Sequence, residues 1–314
     1  MRLSGLRVDP SRWGGALRRM FHRWSRRGML SQVMLGRVHI RSFVVALVVL
    51  LAVPAVAGAA TGPMKIHYYQ RPGSACASTD PTAAGAKKYT SAVSQTGLAF
   101  DGSELLVSCW GDGSILKVSE AGSVLGQLQV TGVAGLGGIS WDADHNVLWA
   151  CAITGTNKSL SNQIGWVEFD PSTQSGAWHY VGNTPHGCTN NLNYANGVLW
   201  ADGAYKLSHG SSQWIDVGTA VLDPPLKMTA TYRPFTPDGH VSGAIPGADG
   251  QPLWEADNWG TTKSIWEAGA TSPIETGTQR FEQLVCDPNT PTGPMLFVKW
   301  FNQNGFGALP VDTC

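Results

Sequence analysis

Several carriers of catalysis are missing from this 314-residue chain. It has no phosphate-binding Gly-x-x-x-x-Gly-Lys loop and no Gly-x-Gly-x-x-Gly opening a helix. It also lacks His-Glu-x-x-His and Gly-x-Ser-x-Gly. P-loop hydrolysis, dinucleotide chemistry, zincin proteolysis and nucleophile-elbow hydrolysis thereby lose their usual signatures. No Cys-x-x-Cys occurs, which argues against a zinc knuckle or a thioredoxin-like centre. The apolar run Phe43–Val53 is broken by Pro54. It is short beside the roughly 20 residues that a membrane-spanning helix needs.

What is present begins with a strongly asymmetric charge distribution. The first 60 residues hold ten Lys and Arg and a single acid, Asp9. The apolar run follows, and then the small residues Ala55-Val-Ala-Gly-Ala-Ala60. Basic, apolar, small is the order of a secretory signal peptide, with cleavage expected after Ala57 or Ala59. Residues 1–59 therefore read as a leader with a long basic n-region. Met20, Met29 and Met34 are alternative starts, and a start at Met34 leaves an ordinary export leader. Ser25-Arg26-Arg27-Gly28-Met29-Leu30 resembles a twin-arginine export motif set too far from the apolar run. The mature chain keeps 12 basic against 21 acidic residues, about −9. Such a domain repels phosphate backbones, so nucleic acid is not an expected partner. The expected location is secreted or periplasmic, with no stable membrane span after leader cleavage. All six cysteines, at 76, 109, 151, 188, 286 and 314, fall in the mature part, as expected of an exported disulfide-bonded domain.

A repeat runs through the rest. Gly97–Trp110 reads strand, tight turn, strand, and is followed by strands over Ser114–Ser119 and Val124–Val130. Later units begin near residues 138, 191, 243 and 283, a spacing typical of propeller blades. The second strands align as Leu105-Leu-Val, Val147-Leu-Trp, Val198-Leu-Trp, Pro252-Leu-Trp and Met295-Leu-Phe. Successive strand residues face opposite sides, so the Leu column packs one face and the column Val107, Trp149, Trp200, Trp254, Phe297 packs the other. Apolar on both faces is what stacked blades need, whereas a sandwich would alternate apolar and polar. The expected fold is an all-β propeller of five blades. Six are expected only if residues 71–96 or 218–240 form a degenerate one. Residues 60–96 supply a closing strand, Met64–Gln70, and a linker, and residues 97–314 supply the repeats.

Segment 138–171 resembles a blade of the streptogramin-lyase-like propellers. The matching residues are Gly138-Ile139, Asp142, Leu148-Trp149, Asn162-Gln-Ile-Gly165 and Asp170-Pro171. The chain is similar more loosely to NHL-repeat and gluconolactonase-like propellers. That resemblance implies a secreted propeller and spans functions from lyase and lactonase to non-catalytic binding. The lyase's His/Glu/His and magnesium arrangement has no residue-by-residue counterpart here.

In a propeller, loops joining second to third strands and loops joining successive blades open on one face. Candidates there are Trp110, Asp112, His186, Asp202, His209, His240, Asp257, Asn258, Trp259 and Asn302. Asp112, Asp202 and Asp257 are the candidate metal ligands, for calcium or magnesium. The competing reading of these Asp and Asn residues is ordinary turn chemistry. Trp110, Trp259 and Trp300 are candidates for stacking on a sugar or a flat ligand, with packing between blades as the competing reading. The expected function is binding of a small molecule, glycan or envelope protein on this face. The alternative is a metal-dependent lyase or lactonase at the channel mouth. Cys109 and Cys151 share a column of the alignment, and such positions in neighbouring blades lie roughly 10 Å apart. A disulfide needs α-carbons within about 7 Å. Cys286 and Cys314, ending the first and third strands of the last unit, form the expected pair.

Overall fold

The computed structural model describes residues 62–69, 95–110, 112–153, 163–170, 172–188, 191–202, 214–236, 241–258, 260–300 and 304–314. They belong to one compact unit, Val56–Cys314. The leader lies outside the described residues. Among those residues every regular element is a strand. Among the described residues no helix is long and apolar enough to cross a membrane.

Strand β1 (Lys65–Tyr68) opens the domain. The first four-stranded meander is β2 (Gln95–Phe100), β3 (Leu105–Cys109), β4 (Ser114–Val118) and β5 (Val124–Thr131). The second is β6 (Gly135–Asp142), β7 (Val147–Ile153), β8 (Gln163–Asp170) and β9 (Ser175–Asn183). The third is β10 (Asn191–Ala195), β11 (Val198–Asp202), β12 (Ile215–Thr219) and β13 (Met228–Tyr232). The fourth is β14 (Val241–Pro246), β15 (Pro252–Asp257), β16 (Lys263–Glu267) and β17 (Glu275–Gly277). The last sheet holds β18 (Phe281–Asp287), β19 (Met295–Trp300) and β20 (Gly305–Pro310), and β1 pairs antiparallel with β20 as its outer strand. The first strands of the sheets touch in the cycle β2, β6, β10, β14, β18 and back to β2. The domain is thus an all-β propeller closed by its N-terminal strand. The described part of segment 218–240, residues 218–236, holds the end of β12 and β13 and forms no separate sheet; residues 71–94 and 237–240 lie outside the described residues. The outer strands β5 and β9 also pair in parallel over Gln129–Thr131 and Ser175–Ala177, so the first two sheets join edge to edge.

The column reading holds with one slip. Leu98 faces Val107 across its hairpin, as Ile139 faces Ala150 and Leu192 faces Ala201. The first unit is therefore out of step by one residue in the sequence alignment. Leu106, not Val107, stands with Trp149, Trp200, Trp254 and Phe297, and Leu105 stands with Leu148, Leu199, Leu253 and Leu296. The doublet Leu105-Leu106 hid the slip, because either residue fits the Leu column. Cys109 likewise stands level with Ala152 rather than Cys151. Trp149, Trp200 and Trp254 are each at most 2% exposed and fill the gap to the following sheet. Truncating any of them would cost about 3–5 kcal/mol.

At the centre, three glycines share a level with two amides: Gly97, Gly138, Asn191, Gly243 and Gln283. A Cβ on Gly138 would lie 2.7 Å from Asn191 C and Leu192 N, so the inner backbones pack directly on one another. The Gln283 side chain crosses the space this leaves. Its Oε1 accepts from Leu98 N (2.9 Å) and Ile139 N (3.3 Å), and its Nε2 donates to Ile139 O (2.6 Å) and Leu192 O (2.9 Å). All four hydrogen-bonding positions of the amide are used. Asn191 Nδ2 donates to Ala244 O at 3.0 Å, and Asn193 Nδ2 to Asn191 Oδ1 at 2.8 Å. The axis is filled by amides at this level.

Candidate functional site

Four inner strands change register where they approach the loop face: between Gln95 and Leu98, Leu136 and Ile139, Val241 and Gly243, and Phe281 and Gln283. Bulges re-aim side chains and are common beside functional sites. Two of the extra residues are polar, Ser242 and Glu282.

Glu282 is fully buried, and so is Lys299 on the adjoining strand β19. Burial raises the Glu282 pKa against the pull of Arg280 and Lys299. Burial also pushes the Lys299 ammonium down to about 7, opposed by Glu282. Arg280 Nε lies 2.8 Å from one Glu282 oxygen, yet among the described residues neither oxygen accepts a well-aligned hydrogen bond. Lys299 Nζ donates to Trp300 O at 2.7 Å. A carboxyl whose pKa burial raises thus stands beside an amine whose pKa burial lowers, a pairing found at functional sites. The competing explanation is a buried ion pair kept for structure.

The cluster continues onto the fourth sheet. Lys263 Nζ donates to Asn258 O at 2.7 Å. Its pKa is lowered by burial and by Arg280, with Asp257 acting in the opposite direction. Asp257, at the end of β15, is 4% exposed. Asn258 is committed to the framework. Its Oδ1 accepts from Phe281 N at 2.9 Å, and its Nδ2 binds Phe281 O and Ser242 Oγ. The expected ligand contact is thus a strap between β14 and β18.

His186 sits on the loop between β9 and β10. Its Nδ1 lies 2.7 Å from Asp216 Oδ1, and its backbone N donates to Asp216 Oδ2 at 3.0 Å. The ring stacks on Trp214 at 5.9 Å, and the Arg233 guanidinium covers the same indole at 4.8 Å. With Nδ1 engaged by a carboxylate, Nε2 is the nitrogen available to a ligand or proton. The loop is held by the Cys151–Cys188 disulfide, with α-carbons 5.6 Å apart, and by Gly187 N donating to Thr184 Oγ1 at 2.9 Å.

Asp112 behaves as a turn residue: its Oδ1 accepts from Ser114 N at 2.9 Å and from Ser114 Oγ. Asp202 ends β11 opposite Asn191 and Ile215. The three aspartates belong to three different sheets. Among the described residues no group of three His, Cys, Asp or Glu is placed to hold a metal ion. Trp110 is half-buried just past β3. His209, His240, Trp259 and Asn302 lie outside the described residues. Cys286 and Cys314 are bonded, with α-carbons 5.5 Å apart, and Cys109 is also disulfide-bonded.

No family model matches the chain, and no curated protein matches it. Among solved structures, Myxococcus xanthus glutaminyl cyclase is similar at 10% identity and TM-score 0.43, over 80% of this chain and 95% of that one. The WD40 propeller domain of Doa1 is similar at 11% identity and TM-score 0.39, over 69% and 92%. A chain of the nidogen/laminin complex is similar at 12% identity and TM-score 0.41, over 66% and 72%. The propeller assignment rests on the closed cycle of inner strands, not on these likenesses.

Sequence reading missed Arg280, Glu282, Lys299 and Asp216. Two of them left a signal. A lysine within Met295-Leu-Phe-Val-Lys-Trp300 and a glutamate directly before Gln283-Leu-Val-Cys286 stand out as charges at strand positions.

Proposed function

We propose that this chain is an exported propeller that binds a small polar ligand on its loop face, at the Arg280–Glu282–Lys299 cluster. The observation carrying this reading is a Glu and a Lys, both fully buried, on the two inner strands of one sheet beside a bulge. Burying two charges costs several kcal/mol each. A fold stabilised by apolar columns elsewhere does not need that pair for packing. Export is supported by the leader composition and the disulfides, and the blade-like segment 138–171 agrees with a secreted propeller. The acidity of the mature domain disfavours nucleic acid.

The test is thermal-shift screening of neutral amides, lactones and hydroxy acids on the wild type and on a Glu282→Leu/Lys299→Met double variant. The double variant is expected to be as stable as the wild type or more so, because apolar replacements of buried pairs often are. A ligand that stabilises the wild type is expected to lose its effect on the variant. Undiminished ligand response in the variant would assign the pair to structure alone.

A further inference from the structure

The axis also opens on the opposite face, where the first hairpin of each sheet turns. There the inner-strand ends from all five sheets surround a cavity of about 280 Å³. Phe100, Trp141, Tyr194 and Val285 supply its wall, and Ser140, Asn193 and, on the hairpin turn, Asn196 its polar surface. Small-molecule pockets start near about 300 Å³, so the space suits one ring rather than a chain.

Two of these polar groups are fixed, those of Asn193 and Ser140. Asn193 is 5% exposed, and its Nδ2 is committed to Asn191 Oδ1, Ala244 O and Leu284 O. Those acceptors determine which end of the amide faces the hub. The Asn193 Oδ1 therefore stands as an acceptor without a donor among the described residues. Ser140 is 4% exposed, and its Oγ accepts from Tyr194 N at 2.8 Å. Its hydroxyl proton is directed to no acceptor among the described residues. Among the described residues no side chain lining the cavity is charged. The tyrosine ring is itself steadied by its hydroxyl, which binds Asp144 on the neighbouring hairpin.

We infer that this cavity is a second ligand site, distinct from the loop-face cluster, and that it takes a neutral pyranose. Adjacent sugar hydroxyls each donate and accept, so one can give to Asn193 Oδ1 while its neighbour receives from Ser140 Oγ. The C–H face of the ring packs on the aromatic wall. A ligand with a carboxylate or phosphate finds no counter-charge here, and a flat hydrocarbon would leave both polar groups unsatisfied.

The test is calorimetric titration of the full mature chain with methyl glycosides of glucose, galactose, mannose and N-acetylglucosamine, with indole as the flat comparison. Binding of at least one glycoside is expected. Ser140→Ala is expected to weaken it roughly tenfold. Val285→Trp, which fills the cavity, is expected to abolish it. Arg280→Ala, on the other face, should leave it unchanged, which separates this site from the one proposed above. Immobilised glycans ending in the same sugars show whether a free sugar or a chain terminus is preferred. The inference is overturned if no glycoside binds or if indole binds in their place. Binding that survives Ser140→Ala, or that is lost on Arg280→Ala, also overturns it. If Val285→Trp does not fold, the Ser140→Ala result decides.

Discussion

Single residues in this fold carry work that their neighbours in the alignment do not. Glu255 stands where the other sheets place Val107, Ala150, Ala201 and Val298. Its carboxylate accepts from Phe235 N at 3.0 Å and Thr236 N at 3.0 Å, yet burial holds its pKa up at about 8. A raised folded pKa means that the native state binds the proton more tightly than the unfolded chain. The stability this group adds is present below its ordinary pKa of 4.5 and is lost as pH rises through about 8. The melting temperature of the wild type should therefore drop across that window, and Glu255→Gln should flatten the profile. Lys299 acts in a different window. Its lowered pKa adds stability present above 10.5 and lost as pH falls toward about 7. Gln283 is the other exceptional residue. Gln283→Leu strands buried backbone groups of β2, β6 and β10, each costing about 1–3 kcal/mol. Urea unfolding should show a loss of at least about 3 kcal/mol if the hub is built as described.

At the scale of strands and loops, close approach and pinning matter most. Gly138→Ala places a methyl against the backbone of β10, which cannot move without shifting its sheet. A loss of about 1–3 kcal/mol is expected, measured by denaturant midpoint, whereas Gly102→Ala meets open space and only the strain of a positive φ of 95°. The Cys151–Cys188 bond spans 37 residues and should contribute about 3–4 kcal/mol by the chain-entropy account. Its Ser/Ser replacement should also speed hydrogen exchange at Gly187, because the loop carrying His186 loses its anchor. These elements were legible in the sequence to different degrees. Strand positions followed from the Leu and aromatic columns, because both faces of each sheet are buried and leave a double apolar signal. The amide hub was not legible: Asn191 and Gln283 look like ordinary polar residues at strand starts. Their role appears only when three distant glycines are seen to share their level. Glu282 and Lys299 were not legible because they sit within strands, and only the bulge between Phe281 and Gln283 brings strand residues toward the loop face. The turn role of Asp112, in contrast, matched the ordinary preference of Asp for such positions.

For the whole molecule, the first and last described strands share one sheet, since Lys65 pairs with Ala308 and Tyr68 with Gly305. Removing β1 should expose the edge of β20, and an open edge is a template for pairing with other chains. A chain that begins after residue 70, and so lacks β1, is expected to associate on size-exclusion chromatography and to melt at lower temperature. A monomeric, equally stable truncation would show that β1 is ornamental.

The sheet shared between Lys65 and Pro310 also sets the order of events when the polypeptide is made. Among the described strands β1 is made first and pairs with β20, the last, so the circle stays unlocked until β20 exists. Such long-range pairing is slow to form. A ring built this way stays open to rearrangement until its last strand arrives and becomes rigid only then.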